Sequence, residues 1–318
     1  MKKTIFALVT TITFLPACAY IAVKSAPTKQ EVTTRSNAAL KADTLFWQIL
    51  HNGEYEKISN VLEVMTAAYL DTPNDLTTTA HIGWLHIWRL AERTRLREIP
   101  SLITDDAVLA RKYFQEAVML NPSDARFLGF LASSMVAEGT IHKDEKLIRE
   151  GYYLLHDAIN EWPEFNFFTA GYVMSSRPAH SSQFQEGLEW QWRNLDECID
   201  EKVDRKNPDY SKYMPLLATQ GKKRVCWNSW IAPHNFEGFF LNMGDMLVKS
   251  GDWETAQKIY RNAKLSANYT NWKFRDVLED RIKNAPNNVT HFNDDSNSKA
   301  DVRIMFNSPF SCMACHQQ

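Results

Sequence analysis

The feature that most constrains the fold is a spacing of small and large residues that returns along the chain. Ala110, Phe114, Ala117 and Pro122 follow one another at steps of four, three and five. Gly151, Leu155, Ala158 and Pro163 repeat those steps, and Ala256, Tyr260 and Ala263 give the first two again. Steps of three and four place side chains on one face of a helix. The small members let a neighbouring helix come close, and the large member fills the remaining gap. Pro122 and Pro163 mark helix ends, because proline cannot continue a helix. A helical hairpin cannot bury both faces alone, so the recurrence predicts stacked hairpins with a shared core.

The most complete unit runs from Phe240 to Ala263. Met243-Gly244 and Leu247 lie on a first helix, Gly251-Asp252-Trp253 forms a turn, and Ala256, Tyr260 and Ala263 line a second helix. This pattern resembles the tetratricopeptide repeat (TPR), a helix–turn–helix unit, over roughly residues 42–285. Leu128, Leu131, Ala132, Met135 and Gly139 supply another first helix with its turn. A weaker copy stands at Gly53-Glu54-Tyr55, with Ile58, Leu62 and Met65 following. The resemblance implies an all-α, irregular TPR-like helix-hairpin solenoid, and such a fold says little of function. Segments 95–104 and 140–144 read as insertions. Region 177–234 fits no repeat and holds an aromatic helix over 185–203, followed by a loop-rich stretch. After Ala285-Pro286, the polar run 287–299 reads as a linker or surface loop.

The N-terminus reads as a targeting segment over residues 1–17. Lys2 and Lys3 precede a mostly apolar run that is too short for a good membrane span. Leu15-Pro16-Ala17-Cys18 resembles the bacterial lipobox, which implies lipidation of Cys18; Pro16 departs from that pattern. Cleavage at Ala17-Cys18-Ala19 is the competing reading, and both send the chain out of the cytoplasm. A lipid on Cys18 would anchor the protein to a membrane on its periplasmic side, the outer membrane before the inner. Residues 18–40 would then form a flexible tether, 41–285 the helical domain, and 286–318 a linker and tail. The net charge of −2 argues against a nucleic-acid partner, which calls for a basic face.

Five cysteines occur, at 18, 198, 226, 312 and 315. Cys312-Met313-Ala314-Cys315-His316 has the spacing of c-type haem attachment. Two thiols can add across the two haem vinyl groups, and the adjacent histidine can meet the iron. The motif therefore predicts one covalent haem c, with Cys312 and Cys315 as thioether residues and His316 as proximal ligand. Export agrees, since c-type cytochromes acquire haem outside the cytoplasm. A zinc half-site is the alternative, but no second ligand pair is visible. A thiol–disulfide site is another, but no βαβ pattern surrounds it. With those cysteines and Cys18 assigned, Cys198 and Cys226 remain as a disulfide pair; two buried thiols are the bland alternative.

The sixth iron position is open to several residues. Met305 is nearest in sequence, and His180, His234, His291, Met243 and Met246 are further candidates. Each is more ordinarily a core methionine or a structural histidine. Met313, inside the attachment loop, is poorly placed. His81, Trp84, Leu85, Trp88 and Arg89 share a helical face that is binding surface or, more ordinarily, core. Trp227-Asn228-Ser229-Trp230 is an aromatic loop able to line a pocket. No nucleophile elbow, P-loop, dinucleotide fingerprint or HExxH helix is present, so an enzyme is the weaker expectation. The leading expectation is electron transfer with a partner docked on the repeats. The alternative is a scaffold or assembly lipoprotein whose haem is structural or sensory.

Overall fold

Six helices of the body start at a short polar side chain that caps them. In the computed structural model, which describes residues 18–294 and 313–318, Ser36 accepts from the Ala39 amide and opens α1 (Asn37–Asn52). Gly53, at φ 65°, ends it. Then follow α2 (Ile58–Asp71), α3 (Leu76–Ala91), α4 (Asp105–Leu120), α5 (Ala125–His142) and α6 (Glu145–Glu161). Asp75, Asp124 and Asp144 cap α3, α5 and α6. Pro163 opens α7 (Pro163–Met174), where its missing N–H costs nothing. Next come α8 (Ser182–Ile199), α9 (Asn235–Ser250), α10 (Trp253–Asn262), α11 (Arg275–Phe292) and the one-turn α12 (Met313–His316). Among the described residues the fold is all-α, without a strand.

The helices stack as hairpins. Sequential neighbours pack from α1 through α11, and α1 meets α3, α5 meets α7, and α9 meets α11. The small–large–small positions do the work expected of them. Ala110, Phe114, Ala117, Leu155, Ala158, Ala256, Tyr260 and Ala263 are all buried. A β-carbon on Gly244 would stand 2.1 Å from the Tyr260 ring, and one on Gly83 2.9 Å from the Phe114 ring. In both hairpins a glycine on the first helix admits the large ring of the second.

Several expected boundaries need correction. The first part of the stretch after Ala285 is not a loop, because α11 continues through Pro286 to Phe292; residues 295–299 lie outside the described residues. A proline inside a helix leaves the carbonyl four residues earlier without its donor. Here that carbonyl is Ile282, and the Gln257 side chain of α10 donates to it at 2.7 Å. Buried Phe292 anchors the last turn. The supposed insertion at 140–144 is mostly helix, since α5 runs to His142 and Lys143 turns left-handed at φ 58°. The aromatic helix is Ser182–Ile199; it starts at its Ser181 cap and ends at left-handed Asp200. The proposed tether is in part docked. Residues 18–24 are helical and α1 begins at Asn37. Between them the Val32 amide donates to the Asn74 carbonyl, and Arg35 pairs with Asp75 at 2.9 Å.

A disulfide joins Cys198 at the end of α8 to Cys226 in the irregular segment before α9. That segment leads back to the N-terminal hairpin. The Trp230 ring lies 4.7 Å from that of Trp47, and Lys273 Nζ donates to the Asn52 carbonyl at 3.3 Å. The two ends of the stack therefore meet, and α12 is held where they meet.

Candidate functional site

The C-terminal helix α12 docks on α9 through backbone bonds and one close approach. The His234 amide donates to the Cys315 carbonyl at 3.1 Å, and Trp272 Nε1 donates to the Ala314 carbonyl at 3.0 Å. Gly238 of α9 has no side chain to hold the cysteine off; a β-carbon there would stand 2.7 Å from both the Cys315 amide nitrogen and Sγ. Beyond the helix, the Gln318 amide donates to the His51 carbonyl at 2.8 Å, and buried Gln317 reaches Glu92 at 3.3 Å. The tail also joins two cores. Met313 packs with Phe46, Leu50 and Trp88 of the N-terminal hairpins, whereas Ala314 packs in the C-terminal cluster of α8 to α11.

His316 faces a recess. Its Nδ1 lies 2.6 Å from the Ile231 carbonyl. A carbonyl only accepts, so Nδ1 carries the proton and Nε2 holds the lone pair. No described group bonds Nε2, and it is not among the sealed polar atoms. The side chain keeps accessible surface. Yet desolvation by the surrounding protein outweighs the Ile231 bond, and with nearby His51 holds its pKa down at about 4. Both observations suit a group that is open on one side and walled by protein on the others. The imidazole is therefore neutral near pH 7.

Aromatic rings form the walls. Trp84 of α3 stands edge-on to His316, with ring centroids 5.5 Å apart. Trp84 continues through Phe130 at 4.7 Å, then Phe165 at 5.5 Å, along α5 and α7. On the other side, Trp47 of α1 contacts Trp230 and lies 5.5 Å from His51. His51 Nε2 is 3.4 Å from the same Ile231 carbonyl that holds His316. Trp230 is 62% exposed, which puts it at the mouth.

The structure treats the expected residues differently. Cys315 and His316 lie in the docked helix, and Cys315 is buried. Cys312 and Met305 fall outside the described residues. Cys18 is an exposed free thiol. Met243 and Met246 are sealed core residues, and His180 is exposed before α8. His291 sits in the last turn of α11. His234 is buried against the tail, with Nδ1 at 3.1 Å from Glu237. Of the aromatic loop, Trp227 is core and Trp230 lines the recess. Of the α3 face, Leu85 and Trp88 are core, and Trp84 borders the recess. His51 and Ile231 are part of the site that sequence reasoning missed; neither stands in a motif.

Comparison with protein-family models, curated proteins and solved structures finds no match. Among the described residues, no group of three or more His, Cys, Asp or Glu side chains converges to hold a metal ion. No helix among them is long and apolar enough to cross a membrane.

Proposed function

We propose that the chain carries one haem c, attached through Cys312 and Cys315 with His316 as proximal ligand, and passes single electrons to or from a protein partner. One observation carries this reading: His316 is held by Nδ1–H to the Ile231 carbonyl, which leaves its Nε2 lone pair without a described partner beside Trp84. Iron-binding histidines are commonly fixed through the other ring nitrogen in this way. The residues fit the group. Cys315 sits one residue from His316, and the walls are Trp47, Trp84 and Trp230. In attachment each thiol adds across one vinyl group, so an S–H bond breaks and S–C and C–H bonds form. The bound haem supplies one-electron exchange at iron.

The protein's own residues then set the conditions. The Ile231 carbonyl keeps the His316 proton on Nδ1, leaves the lone pair on Nε2 and orients the ring. Trp47 and Trp84 exclude water, which moves the potential through the local dielectric. Exposed Trp230 marks the edge where a partner approaches. The Cys198–Cys226 disulfide agrees with an oxidising compartment outside the cytoplasm. A lipid on Cys18 would keep the protein on a membrane surface there, on its periplasmic side.

A second reading has its own support. Met313 sits in one core and Ala314 in the other, so the tail ties together the two ends of the stack. A haem held there would be structural or sensory, and the protein a scaffold or assembly lipoprotein.

Expression with a c-type haem-attachment system tests both. Haem staining that survives denaturing electrophoresis, and is lost in the Cys312→Ser/Cys315→Ser variant, is the expected result. A colourless wild-type band from correctly exported protein overturns the haem reading. Rapid, reversible one-electron reduction favours electron transfer. A large loss of stability in the haem-free variant, without reversible reduction of the wild type, favours the structural role.

A further inference from the structure

A haem held by His316 alone would leave its second axial position unassigned, and the opposite wall of the recess offers one well-prepared imidazole. His81 stands on α3 one turn before Trp84, the tryptophan that contacts His316. Its Nδ1 lies 2.8 Å from the Asp43 carboxylate of α1. The approach is an ion-pair contact without hydrogen-bond alignment; a carboxylate this close favours the proton on Nδ1, which puts the lone pair on Nε2. Arg35 lies 3.5 Å from Asp43 and keeps that carboxylate paired. Phe46 stacks on the His81 ring at 3.9 Å and 9°, and Trp47 meets its edge at 5.1 Å. Neighbours on α1 thus clamp the ring on one face and at one edge.

The ring is only 9% exposed, yet Nε2 bonds to no described group and is not among the sealed polar atoms. Trp47, which touches His81, also touches Trp230, and Ile231 beside it holds His316. The two imidazoles are therefore linked through one run of tryptophan contacts. In each, an acceptor lies within 3 Å of Nδ1 and no described group bonds Nε2. Bis-histidine haem iron takes two such nitrogens, each oriented through its other ring nitrogen. His234 is prepared differently. Its backbone grips Cys315, and its ring tilts against Trp272, which holds Ala314. His51 shares the His316 carbonyl and stands beside that ligand.

We propose that His81, oriented by Asp43, is the second axial ligand of the haem, opposite His316. The proposal rests on the haem reading above. The test uses the full-length, haem-loaded protein, with haem stain, absorbance and electron paramagnetic resonance spectra, and carbon monoxide as probe. The wild type should be low-spin and should resist carbon monoxide. His81→Ala should keep the covalent stain, turn high-spin, bind carbon monoxide when reduced, and return to low-spin with added imidazole. Asp43→Asn should weaken the same ligand and give partial carbon monoxide binding. His81→Met should stay covalently loaded and shift the reduction potential upward, since methionine raises it relative to a second histidine.

A wild type without haem overturns both the haem reading and this proposal. Retained haem with an unchanged low-spin spectrum in His81→Ala overturns this proposal alone. A wild type that binds carbon monoxide readily does the same, as does a spectral change confined to His51→Ala or His234→Ala. If His81→Ala does not accumulate, His81→Met decides: a raised potential supports the proposal, and an unchanged one overturns it.

Discussion

Gly238 and Cys315 touch so closely that the glycine's missing side chain is the space the cysteine occupies. A β-carbon on Gly238 would stand 2.7 Å from the Cys315 amide nitrogen and 2.8 Å from the Ala314 carbonyl carbon. These are backbone atoms, and they cannot step aside as the end of a flexible side chain can. Gly238→Ala should therefore push α12 off α9 while α9 itself stays helical, because alanine suits a helix better than glycine does. The expected outcome is faster proteolysis of the tail and loss of amide protection at His234, whose N–H donates to Cys315. Unchanged hydrogen exchange at His234 and Gln317 would show that the contact does not hold the tail.

This contact also shows what was legible in the sequence and what was not. Gly244 and Tyr260 were readable because both belong to one hairpin, sixteen residues apart, and the pattern recurs. The chemistry of Cys315-His316 was readable because it is contiguous. The recess was not: Ile231 meets His316 across 85 residues, and His234 meets Cys315 across a similar span. No local spacing announces such pairings. His81 was visible as part of an aromatic face, but its partner Asp43 belongs to a different hairpin. Pro286 misled because the donor that replaces its N–H comes from another helix.

The disulfide should matter for stability and not for attachment. It closes a loop of 29 residues counted from Cys198 to Cys226, with a sequence separation of 28. On the chain-entropy model that constraint is worth about 3–4 kcal/mol. Cys198→Ser/Cys226→Ser should unfold at correspondingly lower denaturant concentration, with the haem stain intact. A midpoint equal to that of the wild type would mean that the segment 200–234 holds itself without the bridge.

Asp124 gives a pH dependence with a definite sign. Burial pushes its carboxyl up, but Arg126 at 2.6 Å and Arg224 outweigh that and hold it below the usual carboxylate range. The folded state then binds its proton less readily than the unfolded chain. The stabilisation is full above about pH 4, the unfolded carboxylate range, and is lost as pH falls through the lowered folded value. Asp124→Asn keeps a capping residue on α5 but removes the charge. Its melting temperature should lie below that of the wild type at pH 7, and the gap should close as pH falls from 4 toward 2. A gap that stays constant across that range would refute the ion-pair account.

The course of α11 through Pro286 depends on a side chain from α10. Pro286 has no N–H, so the Ile282 carbonyl would lack a helical donor, and Gln257 Nε2 supplies one at 2.7 Å. Gln257→Leu should leave that carbonyl unsatisfied at a cost of about 1–3 kcal/mol. Pro286→Ala should restore a backbone donor, so in that background Gln257 loses its task. The double variant should consequently be more stable than Gln257→Leu alone, and the two changes should be non-additive by about 1 kcal/mol or more in denaturant unfolding. Strict additivity would mean that water, and not Gln257, satisfies Ile282. In that case α11 beyond Pro286 would owe its helix to the burial of Ala285 and Phe292.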